Sequence, residues 1–309
     1  MADPMKTDFI WKNGELIKFE DATTHVLTHT LHYGSGVFEG IRCYYNEETG
    51  KSNVFLLKEH MKRLVDSCKI CSIPIEYTVE ELCDAALETI RANKLKACYI
   101  RPIVYYGYGQ LGVSPAGCPV EVVIAVWEWG AYLGEGALEN GIRTCISSWR
   151  QRSINAIPPE AKTTASYMNS ILAKEEALAY GYDEAILLNE EGKVCEGSGE
   201  SIFAVKNGVI RTPPIADGVL GGLTRFAVIG IAEALGIPVE TKSITRASLY
   251  TADEVFFSGT AAEVTPICEI DGRSIGKPGP VAKAIQEAFF KITSGEAERS
   301  KDFLTPVYE

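Results

Sequence analysis

Residues 9–19 read FIWKNGELIKF, with Asn13-Gly14 between two apolar-rich runs, and similar turn pairs recur at Glu191-Gly192 and Asn207-Gly208. Asn-Gly adopts the positive φ angles of a type I′ turn at little cost, and that turn's twist suits two antiparallel strands. A chain punctuated this way is committed to hairpins. It does not read as a doubly wound parallel sheet, whose strands need long helical crossovers. The rest of the chain agrees. GVFEGIRCYY (36–45) alternates as one strand, NEETGK turns, and NVFLL (53–57) returns. YIRPIVYYG, EVVIAVW and RTCISSW are further strands, residues 184–212 hold three or four short ones, and EVFFSGTAAEVTP is a strand running into a turn. Helical periodicity appears in KEHMKRLVDSCKI, with Met61, Leu64, Val65 and Cys68 on one face. Thr78 and Glu81 form a capping box for VEELCDAALETIRANK. Residues 166–180, GGLTRFAVIGIAEALG and PVAKAIQEAFFKIT read as three more helices. EWGAYLGEGALENG is glycine-rich and lacks periodicity, so it reads as a linker. The expectation is two α+β domains, 1–127 and 140–309, joined by a loop at 128–139.

Charge and cysteine usage remove several classes of function. The 309 residues carry a formal net charge of −11, which opposes binding to nucleic acid or an anionic membrane through the general field. No apolar run approaches the roughly 20 residues of a spanning helix, and MADPMKTDFIW lacks the apolar core of a signal peptide. Nine scattered cysteines suit reduced thiols and a cytoplasmic location. Cys68 and Cys71 form C-x-x-C inside a helical pattern, where two small buried side chains are expected rather than a redox pair. His25, His29 and His32 could suit zinc on a helix. Thr24, Val26, Thr28 and Thr30 favour extended chain there instead, which turns His32 away from the other two, so no metal site is expected.

The chemistry concentrates in the second half. IPPEAKTTASYMNS (157–170) places one long cation, Lys162, among Pro, Ala, Thr and Ser. Three glycine-rich turns follow: EGSGES (196–201), LGGLTR (220–225) and SGTAAE (258–263). LGGLTR opens a helix, where free N–H groups and the helix dipole favour a phosphate. It is neither a dinucleotide fingerprint nor a P-loop, so a single phosphate on a small cofactor fits better than a nucleotide. Beside such a group Lys162 acquires a role. Pyridoxal phosphate is held through a lysine and needs a partner at its ring nitrogen; Glu196, at the mouth of EGSGES, is a suitable carboxylate.

HYGSGVFEGIR, EHMKRL, YIRP, WEWGAYLG, the AK of PPEAK, YMNS, EGSGES, LGGLTR and SGTAAEVTP occur in that order. Together, from about residue 8 to residue 293, they resemble the branched-chain amino acid aminotransferases of pyridoxal-phosphate fold type IV. The resemblance implies a smaller N-terminal sandwich domain and a larger C-terminal pseudo-barrel domain. It also implies ping-pong transamination of leucine, isoleucine and valine with 2-oxoglutarate. Lys162 is similar to the Schiff-base lysine, Glu196 to the ring-nitrogen carboxylate, Tyr167 to the tyrosine on the cofactor's phenolic oxygen, and Arg63 to the phosphate arginine. The backbone N–H groups of Leu223, Thr224 and Thr260 correspond to the phosphate cradle. Thr260-Ala261, helped by Tyr99, corresponds to the α-carboxylate site. Tyr33, Phe38, Gly40 and Val113 correspond to the side-chain pocket, some of them reaching it across a subunit interface. Arg101, with Tyr132 near it, corresponds to the site for glutamate's distal carboxylate. A homo-oligomer is implied, at least a dimer, with a hexamer as the larger alternative.

Family members usually carry Gly-Asn before the cofactor tyrosine, where this chain has Ala165-Ser166, and often Glu-Asn after the second turn, where it has Glu200-Ser201. These departures leave the reaction class unchanged and bear on rate and substrate breadth. Arg63 and Arg101 could each instead serve in an ion pair with an acidic neighbour. The alternatives within the fold are a D-amino acid or (R)-amine transaminase, then an aminodeoxychorismate-type lyase. Outside it the alternative is a non-catalytic metabolite-binding protein, against which Lys162 and Glu196 argue.

Overall fold

A computed structural model of the chain describes residues 5–130, 133 and 136–308. They form two compact α+β units: residues 1–130, 161–165 and 292–309, and residues 131–160 and 166–291.

The first unit is built on an antiparallel sheet. β1 (Phe9–Lys12) and β2 (Glu15–Lys18) meet at the expected turn, Asn13 at φ 50° and Gly14 at φ 98°. The short helix α1 (His29–Tyr33) precedes β3 (Gly36–Phe38), β4 (Ile41–Asn46) and β5 (Lys51–Phe55). Helices α2 (Leu57–Ile70) and α3 (Val79–Ala92) follow, then β6 (Cys98–Tyr106) and β7 (Val120–Trp127). The sheet runs from a C-terminal strand, Leu304–Pro306, through β5, β4, β6, β7 and β1 to β2, with β3 also paired to β6. Met61 and Leu64 of α2 and Leu82 and Ile90 of α3 are fully buried against Ile41, Val54, Ile100 and Ile124. Each such side chain contributes about 1.5–3 kcal/mol through burial. The capping box forms: Thr78 Oγ1 accepts from the Glu81 amide, and Glu81 Oε2 accepts from the Thr78 amide.

Three features of this unit depart from the sequence reading. The run 36–45 is two strands, because the chain breaks at Glu39-Gly40. Residues 29–33 are helical rather than extended, while Thr28 before them is extended and bridges Tyr108. Gly34 ends α1 in the left-handed region at φ 62°, and buried His29 is held by Ser35 Oγ at 2.7 Å and the Gly112 carbonyl at 2.8 Å. These tertiary bonds override the β preference of the threonines. Finally, residues 161–165 and 292–309, both beyond the expected boundary at 140, pack here. Thr163 bridges Val37, the Phe38 amide donates to the Lys162 carbonyl at 3.0 Å, and the Thr164 amide donates to the Gly36 carbonyl at 2.8 Å.

The second unit begins with α4 (Ala137–Asn140), β8 (Ile142–Arg150), α5 (Tyr167–Ala179), β9 (Glu184–Leu188) and β10 (Val194–Gly197). β11 (Ser201–Lys206), β12 (Val209–Thr212), α6 (Leu223–Ala234), β13 (Val239–Thr241) and α7 (Arg246–Tyr250) come next. β14 (Glu254–Gly259), β15 (Glu263–Ile270), β16 (Arg273–Ser274) and α8 (Pro280–Thr293) complete it. The strand order β10-β9-β8-β15-β14-β11 returns to β10 through one pair, Glu196 and Ser201, so the sheet closes on itself. β8 lies parallel to β9 and β15, while β14 pairs antiparallel with both β11 and β15. Ala173 and Ala177 of α5 pack on Cys145, Ala185 and Leu187; small residues let the helix lie close to the strands. Among the described residues, no helix is long and apolar enough to cross a membrane, and no three His, Cys, Asp or Glu side chains are grouped to hold a metal.

Candidate active site

In the first unit the lysine segment is held by its backbone. The Lys162 amide donates to Ser67 Oγ at 3.2 Å, its carbonyl accepts from Phe38, and its Nζ lies 5.2 Å from the Phe38 ring centroid. Arg63, one turn before Ser67 on α2, is gripped by a strand-end residue rather than a helix neighbour. Its Nε donates to Glu39 Oε1 at 2.6 Å and its Nη2 to Glu39 Oε2 at 2.8 Å. His60 Nδ1 adds a third bond to Glu39 Oε2 at 2.7 Å. Glu39 and His60 are both buried.

Arg101, on β6, pairs with no acid among the described residues. Its guanidinium sits 4.7 Å from the Phe38 centroid, 5.3 Å from Tyr99 and 5.9 Å from Trp127. Its Nε and the Trp127 Nε1 are buried without an acceptor among the described residues. The Tyr99 ring lies tilted against both Trp127, centroids 5.2 Å apart, and Trp129, 4.9 Å apart. Gly40 is obligatory in this aromatic enclosure, since a Cβ there would lie 1.9 Å from the Tyr99 hydroxyl. Tyr33 and Val113 stand apart from it: they are 45% and 89% exposed. Tyr132 lies outside the described residues.

In the second unit Glu196 sits in the strand pair that closes the sheet. Buried Gln151 donates Nε2 to Glu196 Oε1 at 2.5 Å and to the Gly218 carbonyl at 3.0 Å, and the Leu220 amide donates to Glu196 Oε2 at 3.0 Å. The carboxylate is therefore oriented from both sides. The turn behind it closes with the Gly197 amide on the Glu200 carbonyl at 2.7 Å. Glu200 is itself buried, and its carboxyl is pushed up to about 8. Burial is the main cause, with nearby Glu184 adding to it against the Gly199 amide and Lys174. Gly222 caps α6 and leaves no room for a side chain, since a Cβ would meet Ser201 Oγ at 2.6 Å. Leu223 and Thr224 open the helix, so their amides belong to the first turn, which has no intrahelical acceptors. Arg225 ties this end to Thr212 Oγ1 at 3.1 Å and the Pro213 carbonyl at 2.9 Å. Thr260 and Ala261 form the β14–β15 turn beside the paired Gly259 and Glu263. Tyr167 is the first residue of α5 and half-buried.

Three residues were not singled out by sequence reasoning. Glu39 had a signal: a lone acid in the apolar run GVFEGI. His60 had another, since it stands three before Arg63 in EHMKRL, which aligns the two on a helix. Gln151 follows a strand and carried no local signal.

Residues 36–270 match the family model for amino-transferase class IV. The chain is 47% identical over 305 residues, 98% of both chains, to a branched-chain-amino-acid aminotransferase of Salmonella typhimurium. It is similar to the crystal structure of the Escherichia coli branched-chain amino acid aminotransferase, with a TM-score of 0.95 and 47% identity over 98% of this chain and 100% of that one. A T.th. branched-chain amino acid aminotransferase complexed with N-(5′-phosphopyridoxyl)-L-glutamate gives a TM-score of 0.93 at 46% identity, over 98% of this chain and 100% of the other.

Proposed function

The chain belongs to the class IV aminotransferase family, and on that premise we propose that it transfers the amino group of leucine, isoleucine or valine to 2-oxoglutarate, with pyridoxal 5′-phosphate as cofactor. The observation that carries the reading is Arg101: a buried guanidinium donor without an acceptor among the described residues, walled by Phe38, Tyr99 and Trp127. Aromatic walls suit an apolar side chain, and the cation suits glutamate's distal carboxylate. For leucine, three carbons beyond alanine are worth about 2.4 kcal/mol at ~0.8 per methylene, or roughly 50-fold. For glutamate, a carboxylate among rings needs a cation and hydrogen bonds.

Each unit carries groups that suit the cofactor: an amine at Lys162 and a cation at Arg63 in the first, open amides at the α6 N-terminus and an oriented carboxylate at Glu196 in the second. Pyridoxal phosphate, when bound, supplies the electron sink for charge at the substrate Cα. Lys162 anchors it and carries the proton to and from that carbon. Glu196 holds the proton at the ring nitrogen, and Tyr167 donates to the ring oxygen. Arg63 and the amides of Leu223, Thr224 and Thr260 receive the phosphate. Thr260, Ala261 and Tyr99 receive the α-carboxylate, while Phe38 and Gly40 shape the side-chain space.

Tyr33 and Val113 complete that space in a second copy of the chain. The support is an exposed apolar patch in which Val26, Leu31, Tyr33, Tyr108, Leu111 and Val113 all face outward. The assembly is therefore at least a dimer. The nine free cysteines support a reducing compartment, the cytoplasm.

Stopped-flow measurement of the two half-reactions tests the reading. Leucine and glutamate should each convert the cofactor, and D-alanine and (R)-amines should not. Arg101→Leu should slow the 2-oxoglutarate half-reaction about 30-fold or more, because losing a buried charge partner costs about 2–5 kcal/mol, while the leucine half-reaction changes far less. Equal losses in both would overturn the assignment of Arg101.

A further inference from the structure

Resting on that reading, we propose that Glu39, backed by His60, is a positioning residue that aims the Arg63 guanidinium at the cofactor's phosphate and couples this anion site to the lysine segment. Helix α2 carries His60, Arg63 and Ser67 at spacings of three and four, which align on one helical face. The first two donate to Glu39, and Ser67 Oγ accepts from the Lys162 amide at 3.2 Å. On the strand side, the residue before Glu39 donates its amide to the Lys162 carbonyl at 3.0 Å. One helix face and two consecutive residues at the end of β3 thus hold the arginine and the lysine backbone together.

The charge state suits this task. Burial alone would raise the Glu39 carboxyl, but Arg63 and then His60 outweigh it, and the group lies well below the usual carboxylate range. Burial lowers His60 against the pull of Glu39, and its Nδ1, 2.7 Å from the Glu39 carboxylate oxygen, is the nitrogen that donates. Glu39 holds the Nε–Nη2 edge of the guanidinium. A planar fork already fixed on one edge loses little further freedom when phosphate arrives. The same carboxylate cancels the arginine's charge. If net charge governed the site, removing Glu39 would tighten phosphate binding; if orientation governs it, removal weakens binding.

The test titrates the cofactor-free protein with pyridoxal 5′-phosphate and with pyridoxal, which lacks the phosphate, following absorbance and intrinsic fluorescence. Glu39→Gln should weaken pyridoxal 5′-phosphate about tenfold or more and pyridoxal less than about threefold. On an Arg63→Ala background the same change should add less than about twofold. His60 gives a milder route should Glu39→Gln not fold: His60→Leu should weaken the phosphate ligand, and His60→Asn, whose amide replaces Nδ1–H, should restore it. Tighter or unchanged binding in Glu39→Gln overturns the inference, as does equal loss for both ligands or equal behaviour of Leu and Asn at position 60. A wild-type chain that takes up no pyridoxal 5′-phosphate overturns the functional reading as well.

Discussion

Glu200→Gln should make the protein more stable than wild type in alkaline solution and nearly equal to it at pH 5. The Glu200 carboxyl is buried in the turn behind Glu196, where its Oε2 accepts from the Gly199 amide at 3.1 Å. Burial is the main reason that it holds its proton up to about 8, and the charge on Glu184 adds to this. Once unfolded, the same carboxyl ionises near its ordinary value of 4.5. A raised folded value means that stability is fully present below 4.5 and is lost as pH climbs towards 8. At about 1.4 kcal/mol per pH unit, the loss between those limits has a ceiling of about 5 kcal/mol. Glutamine has the shape of the protonated acid, keeps an acceptor for Gly199 and cannot ionise, so the variant escapes that loss. Urea unfolding of both cofactor-free proteins at pH 5, 6, 7, 8 and 9, followed by far-UV circular dichroism, measures the gap. The gap should widen from pH 5 to about 8 and then level off. A constant gap, or one that narrows as pH rises, would refute the reasoning.

Gln151→Leu removes a donor to Glu196 while preserving bulk. A hydrogen bond to a charged group is worth about 1.5–3 kcal/mol, so kcat should fall roughly 10- to 150-fold with KM nearly unchanged in steady-state assays. Unchanged kcat would mean that the Leu220 amide alone orients the carboxylate. The double variant Leu31→Asp, Val113→Asp should sediment as a monomer and lose leucine transamination. An assembly of wild-type size would show that the apolar patch of the first unit is not where copies meet.

Much of the architecture can be read from local chemistry. The Asn13-Gly14 turn, its two flanking strands and the Thr78–Glu81 capping box act over a few residues, and each is present. The failures share a cause in distant partners. Residues 29–33 curl into α1, where His29 is bonded to Gly112, 83 positions away. The strand expected at 36–45 breaks where Glu39 turns to α2. The boundary expected near 140 overlooked residues 161–165, whose hydrogen bonds run to residues 34–38. At the candidate site, ordered motifs marked Lys162, Glu196, Arg63 and Arg101. The residues that orient them were harder to see: Gln151 and Glu39 meet their partners 45 and 24 positions away.

The chain's path around Lys162 also limits how such enzymes can be shuffled. It leaves the first unit at residue 130, returns for residues 161–165, leaves again, and comes back at 292. A chimera spliced once at 130 would take Lys162 from one parent and Phe38 and Ser67, which hold its backbone, from the other. Recombination libraries should therefore inherit 161–165 and 292–309 as cassettes from the parent that donates 1–130. Single-crossover libraries should be rich in chains that fold but seat the lysine poorly.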